Sequence, residues 1–477
     1  MERKSGVLMH ISSLYGDYSI GSFGKCAKEF VDFLCELKFT YWQVLPFLMA
    51  DDFNSPYQSY SAFSGNPYFV DLEILYKKGL LTKEELTLNH QTQPYSAEYE
   101  RLYQMRFDLL KIASKRVQNK DEINEFVELR PHIKDFCIFM AKKEANSEKP
   151  WYEWTNDEID DDTLFMWKFI QYEFLNEWAD IKKYANEKGI KIIGDIPMYV
   201  ALDSSDVWAN KEEFLLDENN FPLCVAGVPP DYFSSDGQLW GNPLYDWDAM
   251  KKNGYKWWID RMTYMTELFD GVRIDHFRGL ESFWAVPYGD KTARGGKWVK
   301  GPGMDLIEKF NEKFSDTLII AEDLGEITDD VKKLLSDSGY PGVRVFQFGF
   351  LDDSDNPHIP HNYINNSVAY TGTHDNNTLL GHLWELPMDN KRRMLEYCNY
   401  HLDDWEKGYD SILRSIFASN AGIVILPIQD LLGYGSDTRI NVPGRAEGNW
   451  QYRITKEQLQ SIDKDKFKRF NELYKRC

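Results

Sequence analysis

Short apolar runs recur along the chain, each a handful of residues long, rich in Val, Ile, Leu and aromatics, and stopped by polar or turn residues. That pattern predicts buried β-strands. Eight such runs are present: Gly6–Ile11, Tyr41–Phe47, Lys191–Pro197, Gly271–Phe277, Thr317–Glu322, Gly342–Phe348, Ser367–Thr371 and Gly422–Leu426. Between most of them the period lengthens to that of a helix, as in Lys25–Leu37, whose apolar positions are Ala27, Phe30, Val31, Leu34 and Leu37. Eight buried strands alternating with helices predict an α/β fold of the (β/α)8 TIM-barrel type, because a doubly wound sheet normally uses fewer strands. Two gaps, of about 140 residues after the second run and about 70 after the third, exceed an ordinary connection and predict large insertions. The first, residues 49–188 after strand two, reads as mainly helical, with Glu98–Ala113 and Thr163–Asn186 as examples; the second, 199–256 after strand three, reads as loop-rich and aromatic. No Pro, Gly or Ser-rich linker, repeat or low-complexity tract sets off an independent domain, so 1–477 reads as a single barrel. Insertions after a strand sit over the C-terminal face of a barrel, where they would shape a groove.

Hydrophobic residues at 43% and charged residues at 27% are ordinary for a globular chain. The charge balance is less so: Asp and Glu number 76 against 55 Lys and Arg, a formal net charge of −21. Such a surface repels phosphate backbones and anionic headgroups, which argues against nucleic acid or membrane as partner and for a neutral or cationic one. Aromatics reach 15%, enough for a sugar-stacking groove, although any one ring is more often core packing. The six cysteines lack zinc-ligand spacing and read as free thiols. Gly6–Ile11 is too short for an export signal and no window approaches the roughly 18 apolar residues of a membrane span, so cytoplasmic residence is expected.

Charge at the end of an apolar strand is the informative anomaly, because burying an ionised group is unfavourable unless it is paired or functional. In Gly271–Phe277 the two-residue period puts Arg273 and Asp275 on one face. A guanidinium there is expected to lower the Asp275 pKa and keep a nucleophile ionised, or else simply to form a structural ion pair. Glu322 shares a face with Leu318 and Ile320, an apolar setting that raises a carboxyl pKa and suits an acid/base; the structural alternative is helix capping by Asp323 with Glu322 solvated. After Ser367–Thr371 stands Gly372-Thr-His-Asp-Asn-Asn-Thr378, readable as turn chemistry or as a site, and Asp195 ends the third run with the same ambiguity. A barrel mouth would gather these groups, and an ionised Asp, a protonatable Glu and a third carboxylate fit retaining glycoside chemistry. No GxGxxG after a strand, P-loop, HExxH or GxSxG motif offers a competing reaction. This chemistry requires no metal or other cofactor.

Gly271-Val-Arg-Ile-Asp-His-Phe-Arg-Gly279, Ile320-Ala-Glu-Asp-Leu-Gly325 and Thr371-Gly-Thr-His-Asp-Asn-Asn377 resemble signature segments of the 4-alpha-glucanotransferases, or amylomaltases. The likeness runs along nearly the whole chain, through Ser5-Gly-Val-Leu8, Trp42–Pro46, Ser55–Pro67, Gly194–Pro197, Ala226–Phe233 and Asn441–Arg445. It implies that Asp275 is the nucleophile, Glu322 the general acid/base and Asp375 the transition-state stabiliser. It also implies that Arg273 and His374 contact Asp275 or sugar hydroxyls, and that Asp195, Tyr57, Gln238 and Trp240 line the glucan site. Segment 227–241 resembles a loop that closes over glucan, and Tyr57, Phe233 and Trp240 would bind the acceptor and exclude water. The implied partners are alpha-1,4-glucan and maltooligosaccharide donors and acceptors. An alpha-glucan hydrolase of the alpha-amylase type, or a non-catalytic glucan-binding scaffold, are the alternatives. One departure is visible: Pro46–Ser55 lacks the glycines expected ahead of the Ser-Pro-Tyr motif.

Overall fold

The computed structural model describes residues 1–49, 54–230, 234–351, 356–401, 405–445 and 447–477. Eight parallel strands close a barrel: β1 (Lys4–Leu8), β2 (Tyr41–Gln43), β3 (Lys191–Ile196), β4 (Gly271–Ile274), β5 (Leu318–Ala321), β6 (Gly342–Val345), β7 (Ser367–Tyr370) and β8 (Ile423–Pro427). Each neighbour in the barrel is the next strand in sequence, and β8 returns to β1. Each of the eight apolar runs supplies one strand, with ends shifted by a few residues. The two-residue period divides the strands' side chains between two hydrophobic clusters. Leu8, Ile193, Ile320, Val343, Val345 and Ile425 fill the barrel, whereas Val7, Ile192, Val272, Ile274 and Ile319 pack outward against helices.

Residues 54–187 hold a set of helices, the last of which, Asp161–Glu187, belongs to the barrel wall as well as to the inserted region. Asp160 caps its start by accepting from the Thr163 amide at 2.8 Å, and Gly189 at φ +78° turns the chain after its end. Its Trp178 packs edge-on against Phe47 at 4.6 Å and donates its indole N–H to Leu268 O, bolting this helix to the β3–β4 side.

The 199–256 segment, largely turn and loop, also contributes two strands. Gln238–Pro243 pairs with Cys224–Val228, which pairs with Ser282–Pro287, which pairs with Lys297–Lys300, the last two following β4, in a four-stranded antiparallel sheet. Two excursions from adjacent barrel strands therefore build one wall beside the C-terminal face. No helix among the described residues is long and apolar enough to cross a membrane.

Candidate active site

Parallel register sets the first contacts. Asp195 on β3 lies opposite Arg273 on β4. Inside the barrel Arg273 donates from Nη1 to both Asp195 oxygens, at 2.8 and 2.6 Å, and from Nη2 to Asp275 Oδ1 at 2.8 Å. Asp195 is wholly enclosed, while the Asp275 side chain is 30% exposed. Asp195, expected to line the glucan site, instead lies behind Arg273 and acts on the cleft through it.

Sharing the guanidinium changes the Asp275 titration. Burial raises its pKa, Arg273 lowers it, Asp195 raises it again, and the balance is pushed up to about 6. Arg273 depresses this pKa as expected, but desolvation and a second carboxylate on the same cation outweigh it, so the net shift is upward. Asp275 is still mainly ionised at neutral pH.

Glu322 directly follows β5. Its Oε2 accepts from the His276 amide and its Oε1 from the Leu324 amide, each at 2.7 Å. The first bond requires His276 to adopt a left-handed conformation, φ 50° and ψ 48°, which swings the chain round after Asp275. Burial raises the Glu322 pKa, with Arg273 opposing and Asp275 adding repulsion, to about 7, the acid/base profile expected from its apolar neighbours. Asp323 does not cap a helix: it accepts from the Val343 amide at 2.6 Å and from Arg344 at 2.9 Å. The next helix, Asp329–Ser338, is capped by Thr328.

Asp375 lies on the segment after β7. His374 Nε2 is 3.3 Å from its Oδ2, Asn441 donates to its Oδ1 at 2.6 Å, and Arg439 holds its backbone carbonyl at 2.6 Å. Desolvation raises this carboxyl, but His374, Asn441 and Arg273 outweigh it and hold the pKa well below the ordinary range. Burial lowers the His374 pKa, but Asp375 more than compensates and raises it. Tyr57 donates to Asp195 Oδ2 at 2.7 Å and stacks on His374, with ring centroids 5.1 Å apart. Trp450 completes this aromatic group, 5.8 Å from Tyr57 and 5.9 Å from His374.

A cleft of about 620 Å³ opens at this end of the barrel, lined by Arg273, Asp275, Glu322, Asp375 and Gln238 among others. Tyr57, His374 and Asp195 stand beside it rather than on its lining. Trp240 donates to the Gln238 side chain at 3.2 Å and meets the His276 ring edge-on at 4.9 Å. Phe233 lies outside the described residues. Also on the lining are His276, Arg278, Trp298, Phe348, His358 and Asn376, which sequence reasoning did not single out. Arg278 lies 3.9 Å over the Trp298 ring. The Gly271–Gly279 and Asn441–Arg445 segments held the only signal for His276, Arg278 and Asn441; nothing local marked Trp298 or Trp450.

The fold and this cleft define a (β/α)8 barrel enzyme with three carboxyl groups gathered at one end of the barrel. A 4-alpha-glucanotransferase family model matches residues 9–459. The chain belongs to that family and is a 4-alpha-glucanotransferase. It is 42% identical to the 4-alpha-glucanotransferase of Clostridium butyricum, over 98% of this chain and 100% of the relative. With the Thermus thermophilus 4-alpha-glucanotransferase it shares 40% identity over 96% of each chain. Among solved structures, an amylomaltase from Streptococcus agalactiae in complex with acarbose superposes with a TM-score of 0.95 at 38% identity, over all of both chains.

Proposed function

We propose that the enzyme moves alpha-1,4-glucan segments from a maltooligosaccharide or starch-like donor to the 4-hydroxyl of glucose or another glucan, by double displacement with retention. Glu322 donates its proton to the glycosidic oxygen as Asp275 attacks the anomeric carbon; the C1–O bond breaks and a glucosyl ester forms on Asp275. Glu322, now a carboxylate, takes the proton of the incoming 4-hydroxyl while that oxygen displaces Asp275. Asp375, kept ionised by His374 and Asn441, steadies the positive charge on the distorted sugar ring. Trp240, on the sheet beside the cleft, offers an aromatic surface for the acceptor and keeps water out, so that transfer outruns hydrolysis, while Tyr57 holds His374 and Asp195 in place behind the lining.

One observation carries this reading: Asp275, held by Arg273, and Glu322, held by the His276 and Leu324 amides, face one cleft from adjacent strand ends, and burial raises the pKa of both. Chromatography of the sugars formed from pure maltotriose tests it. Transfer yields glucose together with oligosaccharides longer than maltotriose; shorter sugars alone would indicate a hydrolase. Glu322→Gln is expected to lower kcat at least about 10³-fold with the fold intact, and wild-type turnover by that variant would refute the acid/base assignment.

A further inference from the structure

Behind segment 372–378 lies a carboxylate that none of these steps uses. Asp430 is fully buried on the short helix Ile428–Leu432, which follows β8. Its Oδ2 accepts from the Thr371 hydroxyl at 2.5 Å and its Oδ1 from the Leu379 amide at 2.8 Å. Thr371 is the first residue after β7, and Leu379 opens the helix Leu379–Glu385. The two bonds therefore join the two ends of the segment that carries His374 and Asp375. Among the described residues no cation pairs with Asp430, and burial pushes its pKa up to about 6. A buried carboxylate without a counterion is unfavourable to keep, yet its two oxygens on one rigid plane reach both donors at once, which a single hydroxyl cannot do.

The tip of the segment has its own anchors. Gln347 donates to Asn377 O at 2.8 Å, and Arg439 and Asn441 hold Asp375 itself. These bonds come from the turn Phe346–Phe350 after β6 and from residues 439–441, and they fix where the tip points only if its two roots stay together. Asp430 supplies the bond at the roots.

We propose that Asp430 is a positioning residue for glucan transfer, closing the neck of segment 372–378 so that Asp375 meets the reacting sugar ring in its productive place. The inference rests on the reading of Asp375 given above. Displacing a catalytic group by about 1 Å can lower turnover about 10²-fold without loss of substrate contacts. Asp430 thus acts on the transition state through Asp375 and leaves ground-state binding largely alone.

The test compares full-chain Asp430→Ala, Asp430→Asn, Thr371→Val and Asp375→Asn by kcat and KM for maltotriose, inhibition by acarbose, and thermal unfolding. Asp430→Ala is expected to lower kcat about 10²-fold with KM changed less than about threefold, and to weaken acarbose as far as it lowers kcat/KM. Asp430→Asn should retain most activity, since its carbonyl accepts from Leu379 and its amide donates to the Thr371 oxygen. Thr371→Val removes one bond of the pair and should fall between them; it carries the test if Asp430→Ala fails to fold. Folded Asp430→Ala or Thr371→Val with wild-type kcat would overturn the proposal, as would a loss shared equally by KM. Asp375→Asn separates the two levels: wild-type turnover there removes the role of Asp375 and this inference with it, whereas a silent Asp375→Asn beside fully active Asp430 variants removes this inference alone.

Discussion

A single guanidinium decides the electrostatics of the cleft. Arg273 splits Nη1 between the two Asp195 oxygens and gives Nη2 to Asp275, and the wholly enclosed Asp195 has the stronger charge interaction with it. The consequence is expected in the pH dependence. Asp275 must be ionised to attack, so kcat/KM should fall as pH drops through about 6; Glu322 must hold a proton, so it should fall as pH rises through about 7. A narrow bell in the maltotriose pH profile is expected, and a flat plateau from pH 5 to 8 would contradict it. Arg273→Gln removes the cation common to both carboxylates and should move the acid limb upward, since Asp275 then faces Asp195 without compensation. Asp275 and Glu322 were legible in the sequence because each is a charge at the end of an apolar strand. Trp450 was not, because its place beside Tyr57 and His374 comes from a remote part of the chain.

At the scale of elements, β3 shows how closely the barrel is built around the site. A Cβ on Gly194 would lie 2.1 Å from the Phe269 ring, so the strand bearing Asp195 lies against that ring only because residue 194 has no side chain. Gly194→Ala is expected to destabilise the protein by about 1–3 kcal/mol through overpacking, read as a lower urea midpoint, and to reduce kcat by displacing Asp195. The antiparallel sheet beside the cleft was not legible. Cys224–Val228 and Gln238–Pro243 contain Gly, Asn and Pro, and Ser282–Pro287, the other partner of Cys224–Val228, is distant in sequence, so no local alternation announces the pairing. Trp240 stands on this sheet against His276. Trp240→Ala should raise KM for the acceptor and increase the share of donor lost to water severalfold, measured as free glucose reducing ends formed per transfer event.

Over the whole molecule the excess of acid, −21 in formal charge, has no sugar charge to act on. Long-range steering works on charged ligands and fades with ionic strength, so kcat/KM for neutral maltotriose should stay within about twofold when salt is raised from low to physiological levels and beyond. A steep salt dependence would mean that an exposed charge takes part in binding.

Strand number, strand order around the barrel and the identity of the carboxylates at three strand ends follow from the sequence alone, because apolar period and turn residues act between near neighbours along the chain. Convergence is different. That Tyr57 touches Asp195, that Asp195 takes the larger share of Arg273, and that Asp430 ties Thr371 to Leu379 all depend on distances set by closing the barrel. The sign of the Asp275 shift was decided there too, since desolvation and a second carboxylate are properties of a filled volume and not of a residue's position in a line.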